Sequence, residues 1–159
     1  MRTPVVITGL GAVTPLGNDV PTLWEGLLAG RSGAGPITHY DATGHKVRIA
    51  AEVKDFDGIA IFGRGEARRM DRFSQFAVYT ARQAVEHARL TIDEHNRDRI
   101  GVILGTGVGG LTTLFEQMQV FAVRGPDRVS PFLVTMMLPD SAPGMVAIHL
   151  GVRGPNLPM

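Results

Sequence analysis

The apolar positions along the chain fall into separated runs, and the period of each run names an element. Pro4, Val5, Val6, Ile7 and Thr8 form an uninterrupted, β-branched stretch that ends at Gly9-Leu10-Gly11, which predicts a buried strand entering a tight turn. Trp24, Leu27 and Leu28 recur at i, i+3, i+4 between Pro21 and Gly30, the pattern of a short helix opened by proline and closed by glycine. From Arg31 to Arg69 the chain mixes Gly, Pro, Asp and Thr with short apolar pieces such as Val47–Ala50, and it reads as loop with one or two minor strands. The strongest helical signal starts at Asp71, a capping residue, and runs to about Leu90. Phe73, Phe76, Ala77, Thr80, Ala84, Val85 and Ala88 mark its apolar stripe.

A second buried strand is predicted over Arg99–Leu104. It is followed by the glycine-rich Gly105–Gly110 and a helix from Leu111 to about Val123 that stops at Gly125-Pro126. A last helix spans about Asp140 to Leu150, with Pro143 in its first turn, and Gly154–Met159 reads as the start of another strand. Buried strands alternating with helices predict an α/β layered fold with a mainly parallel sheet. Only two clear central strands are present, and a parallel sheet needs both faces covered. The 159 residues therefore read as an incomplete unit.

Composition narrows the function classes. With 44% apolar and 19% charged side chains the chain can bury one core. Its 16 basic and 15 acidic residues leave a formal charge of +1, so no long-range field attracts nucleic acid or an anionic membrane, and a charge-driven partner must use a local patch. The absence of cysteine removes a disulfide framework, a thiolate zinc site and a thiol nucleophile from these residues. The opening MRTPVVITGLG has the pattern of neither a signal nor a transit peptide, and no stretch reaches the roughly 18 apolar residues of a membrane span, so a cytoplasmic protein is the default expectation.

Four features could carry chemistry. Gly105–Gly110, GTGVGG, matches a dinucleotide phosphate loop between strand and helix, with Gly105, Gly107 and Gly110 as its glycines. The acidic residue such a site wants about 20 positions later is replaced by Val129-Ser130-Pro131-Phe132, so a tight turn and close packing of backbone explain the glycines better. His39, His45, His87, His95 and His149 lack metal-ligand spacing; His149 lies near a helix end, where a cation is favoured. Arg64, Arg68, Arg69 and Arg72 lead into the long helix, with Arg68 and Arg72 one turn apart if it starts early. They form either a solvated face or a dock for a small acidic partner, with Arg124 and Arg128 as further candidates. Phe132–Leu138 lacks helical amphipathicity and suits buried core, a subunit interface or a methionine-lined tunnel.

VVITGLGAVTPLG, LLAGRSGAGPIT, RRMDRFSQFA, RIGVILGTGVGG, VSPFLV and GVRGPN, in this order and across the whole chain, resemble the condensing enzymes of the β-ketoacyl-acyl-carrier-protein synthase I and II type. The resemblance implies a thiolase-like layered fold, with residues 1–159 as an amino-terminal domain that forms one incomplete half of it, and a homodimer. It implies transfer of an acyl group from an acyl carrier protein to a cysteine and condensation with malonyl-carrier protein, assisted by two histidines and without a cofactor. Those three groups belong to the part of the family pattern that follows GPN, with the cysteine expected about four residues beyond Met159 at a helix start. No catalytic residue and no metal ligand is thus expected within these residues.

The same resemblance matches Val108 and Leu133 to positions that shape the acyl tunnel, Leu133 reaching across the dimer. It matches Arg68, Arg69 and Arg128 to positions that meet the acidic carrier. Core packing and solubilising charge are the plain alternatives for these residues. Gly65 and Asp127 stand where a further basic residue is common, and Leu133 where an aromatic is common. Two other functions stay open: a cysteine-free, chain-length-factor-like scaffold that binds carrier protein, and a nicotinamide-dependent reductase using GTGVGG. A half fold is also expected to leave an apolar face and a sheet edge uncovered and to self-associate.

Overall fold

The computed structural model describes residues 4–159. Helix α1, Val20–Leu28, is capped by the Asp19 carboxylate, which accepts from the Thr22 amide at 2.7 Å. Strands β1, Gly35–Pro36, and β2, Ile49–Ala50, pair antiparallel as the minor ribbon the sequence suggested. Helix α2, Gly58–Ala67, was not legible: it is capped by Asp57 but broken at Gly63, whose φ of 79° splits it into two short pieces, so no apolar period develops. Helix α3, Arg72–His87, begins after Asp71 as expected.

Beyond α3 come β3, Val102–Leu104, and α4, Leu111–Arg124, close to their predicted positions. Helices α5, Leu133–Met137, and α6, Ser141–Leu150, lead into β4, Asn156–Pro158. β4 lies parallel to β3, with Val102 opposite Asn156 and Leu104 opposite Pro158.

The core forms where α6 packs on α3 on one side and on β3 and β4 on the other. Met70, Ala77, Val78, Ala142 and Val146 are its buried centre, and Val102 and Leu104 reach it from the sheet. Ile103, between them, points away and is 64% exposed, as strand alternation requires. Helix α3 also has a second packed side. Leu10 donates to Nδ1 of His87 at 3.0 Å and Ala12 to Oε1 of Gln83 at 2.9 Å, while Gly9 and Gly11 rest so closely on the Ala84 and Thr80 carbonyls that a Cβ at either would collide. The expected stripe mixed the two sides: Thr80, Ala84 and Ala88 line this second one, while Phe73 and Ala77 belong to the first with Ser74 and Val78, the deepest residues of α3.

Two expectations fail here for one reason. Residues 4–8 form no ladder, and Val5 and Ile7 are 98% and 84% exposed instead of buried, because no strand lies alongside them among the described residues. Trp24, Leu27 and Leu28 of α1 are likewise exposed. These exposed apolar side chains, with the outer edges of β3 and β4 unpaired among the described residues, are uncovered features expected of a half fold. Among the described residues no helix is long and apolar enough to cross a membrane.

Candidate functional site

The glycine loop is set by what lies behind it. Gly109, at φ 84°, and Gly110 are pressed against the backbone of Met136–Pro139 at the end of α5, where a Cβ on either would strike a carbonyl oxygen. The Gly110 amide donates to the Met137 carbonyl at 2.9 Å and the Leu111 amide to Gly109 at 2.9 Å. Thr113 donates both its amide, at 3.0 Å, and its hydroxyl, at 2.5 Å, to Oδ2 of Asp71. Three amide donors at the start of α4 are thus already bound within the protein, and the space a pyrophosphate would need is occupied by α5. The dinucleotide reading of GTGVGG fails on this geometry, since that site works by presenting free amides at the helix start.

Val108 stands at the loop's outer bend, 63% exposed, and the glycines that follow it rest on the end of α5, the helix that Leu133 begins. Leu133 is half-buried. Its turn is fixed from α4: Oε1 of Gln117 accepts the Ser130 amide at 2.7 Å, and Leu133 donates to the Ser130 carbonyl at 3.0 Å. Residues 132–138 are therefore neither simple core nor without helix. Val134 is 59% exposed and Phe132 42%, so the apolar run faces outward over a five-residue helix too short to show a period. Leu111, Phe115 and Met118 on α4 add exposed apolar surface at i, i+4, i+7 beyond Val108.

The arginines separate. Arg68 is the C-cap of α2 and Arg72 opens α3, so they are not successive turns of one helix. Arg72 lies against the edge-to-face pair of Phe56 and Phe76, 5.5 and 5.0 Å from their centroids, and serves packing. Arg69 lies 5.6 Å over the ring of Phe132, beside Leu133, in an open groove of about 530 Å³ between the end of α2 and the α5–α6 corner. Arg68 lines a different groove with Phe56, Arg72 and Gln75. Arg128 ends the 3-10 turn after α4, and neither it nor Arg68 joins an ion pair among the described residues. No group of His, Asp and Glu there could hold a metal ion.

Sequence reasoning missed Phe132, Gln117 and Thr113, each of which acts through a partner remote in sequence. It also misjudged His149. The largest influence on His149 is burial, which holds its pKa below the ordinary 6.5; the neighbouring Arg82 acts in the same direction, and Glu66 opposes both. The neutral imidazole is favoured there, not the cation expected near a helix end.

Residues 2–159 match the family model described as β-ketoacyl synthase, N-terminal domain. The chain belongs to the β-ketoacyl synthase family. It is 51% identical over 152 residues to the 3-oxoacyl-[acyl-carrier-protein] synthase 2 of Synechocystis sp., covering 96% of this chain and 36% of that protein. To the protein of the same name from Staphylococcus aureus strain COL it is 49% identical, covering 96% of this chain and 37% of that one. This β-ketoacyl synthase chain thus spans little more than a third of the curated relatives it matches.

Solved structures agree on the fold. One described as the ishigamide ketosynthase/chain length factor superposes with a TM-score of 0.81 at 28% identity, covering 97% of this chain and 39% of that one. A β-ketoacyl synthase from Burkholderia phymatum STM815 gives 0.76 at 27%, covering 94% and 37%. The fold is the amino-terminal part of the thiolase-like layered architecture.

Proposed function

We propose that these residues are the amino-terminal part of a 3-oxoacyl-acyl-carrier-protein synthase of fatty acid biosynthesis, a cytoplasmic homodimer. The observation that carries this is the 49–51% identity, over 96% of the chain, to two proteins of that name. The reaction needs a cysteine, and these 159 residues contain none, so the nucleophile is supplied from outside them. Its thiolate attacks the acyl thioester carbonyl and releases the carrier thiol. Malonyl-carrier protein then loses carbon dioxide, and the resulting enolate carbon attacks the acyl-enzyme and expels the thiolate. Two histidines, also outside these residues, stabilise the enolate and the oxyanion.

Within this reading Val108 and Leu133 line the path of the acyl chain, Leu133 from across the dimer. The exposure of Val108 and the apolar surface around it support that role. Arg68, Arg69 and Arg128 receive the acidic carrier protein, a role supported by their exposure on a chain of near-zero net charge. A second reading, a scaffold that binds carrier protein without condensing, is favoured only by the likeness to the ketosynthase/chain length factor structure.

The test supplies acyl- and malonyl-carrier protein to the protein as its gene encodes it. The 3-oxoacyl product is expected, and Arg69→Glu is expected to raise the KM for carrier about tenfold with kcat nearly unchanged. Carrier binding without product would select the scaffold. Neither binding nor product would overturn both readings.

A further inference from the structure

The start of α4 has no side-chain cap of its own: the capping position is Gly110, which offers no side chain. The cap comes instead from a residue 42 positions earlier. Oδ1 of Asp71 accepts the Phe73 amide at 3.1 Å and caps α3, while Oδ2 accepts the amide and hydroxyl of Thr113 in the first turn of α4. One carboxylate closes two helices, and the pair is buried, with 5% of Asp71 and 7% of Thr113 exposed. Charge-assisted bonds of this kind, shielded from water, are among the stronger fixed links a small fold can make.

What this link fixes is the glycine loop. Between β3 and α4 the loop holds glycine at positions 105, 107, 109 and 110, so its backbone has little stiffness of its own. Its position is imposed from its two ends and from α5 behind it. At the strand end Thr106 donates to the Met159 carbonyl at 3.1 Å; at the helix end stands the Asp71–Thr113 link. Val108, exposed at the bend between them, goes where these anchors put it.

We infer that Thr113, held by Asp71, is a positioning residue that sets the placement of Val108 and through it the acyl length the protein accepts. This rests on the reading of Val108 as an acyl-lining residue.

Thr113→Val keeps the shape and removes the hydroxyl donor, and Thr113→Ser restores it. In the protein as its gene encodes it, Thr113→Val is expected to change about tenfold the ratio of kcat/KM for a long-chain over a short-chain acyl carrier protein, through KM rather than kcat. Thr113→Ser is expected to return the ratio to the wild-type value, and the amides of residues 106–112 are expected to exchange hydrogen faster in Thr113→Val alone. Should Thr113→Val fail to fold, Asp71→Asn, which still caps α3 but cannot accept from Thr113 through its amide nitrogen, is expected to give the same change. An unchanged ratio in an active protein overturns the inference. A wild-type protein that condenses nothing overturns the functional reading instead; hydrogen exchange then decides the anchoring, and unchanged exchange in Thr113→Val overturns it.

Discussion

The guanidinium of Arg82 on α3 stands 2.9 Å from Nδ1 of His149 on α6, and the two side chains close over the ring of Phe62. With Arg82 donating, Nδ1 accepts, and the imidazole proton sits on Nε2, 3.8 Å from Oε2 of Glu66 and without a hydrogen-bond partner among the described residues. Burial and Arg82 together hold the pKa of His149 below 6.5.

The sign of the pH dependence follows. Well above 6.5 neither the folded nor the unfolded chain protonates this residue. As pH falls through 6.5 the unfolded chain takes up the proton first, so folding stability declines until the folded imidazole also titrates. Between about pH 7.5 and about pH 5.5, thermal unfolding of the wild type is expected to lose more stability than that of His149→Gln. Equal losses in the two proteins would mean that His149 does not feel this environment.

The glycines of GTGVGG are expected to be unequal. Gly110→Ala drives a methyl into the α5 backbone and is expected to cost about 2 kcal/mol in chemical denaturation. Among the described residues nothing stands within 4 Å of a Cβ at Gly107, so Gly107→Ala is expected to stay within about 0.5 kcal/mol. Equal costs, or a bound nicotinamide cofactor lost in both variants, would return the loop to the dinucleotide reading.

Ser74 places a hydroxyl in the core, 1% exposed and without a hydrogen-bond partner among the described residues. Ser74→Ala removes the unsatisfied group at little loss of volume and is expected to stabilise the fold by about 1 kcal/mol. A loss of that size on denaturation would show that the hydroxyl has a partner in solution.

How much of this was legible beforehand depends on where each residue finds its partner. Asp71 announced itself as the cap of α3 because the Phe73 amide it binds is two residues away. Its hold on Thr113 could not be read, because that bond exists only once α3 and α4 have packed. Strands β3 and β4 and helices α4 and α6 were legible from their apolar residues and the glycines and prolines that bound them, but the pairing of β3 with β4 was not. α2 was hidden by the break at Gly63 and α5 by its brevity. Residues 4–8 show the opposite error: their β-branched run describes a strand correctly in composition, but a strand is made by its neighbours, and none lies beside them among the described residues. Of the candidate site, the ordered motifs gave the family and the positions of Val108, Leu133 and the arginines. The contact between Arg69 and Phe132, the residue before Leu133, came from packing.

The central claim is that these residues belong to an enzyme that carries its acyl group on a cysteine outside them. The most direct measurement is intact mass and peptide mapping of the protein, as its gene encodes it, after incubation with acyl-carrier protein alone. One acyl thioester is expected, on a cysteine in a peptide outside residues 1–159, with its formation blocked by a thiol-directed ketosynthase inhibitor. A protein that takes up no acyl group, or one labelled on a residue within 1–159, would contradict the account.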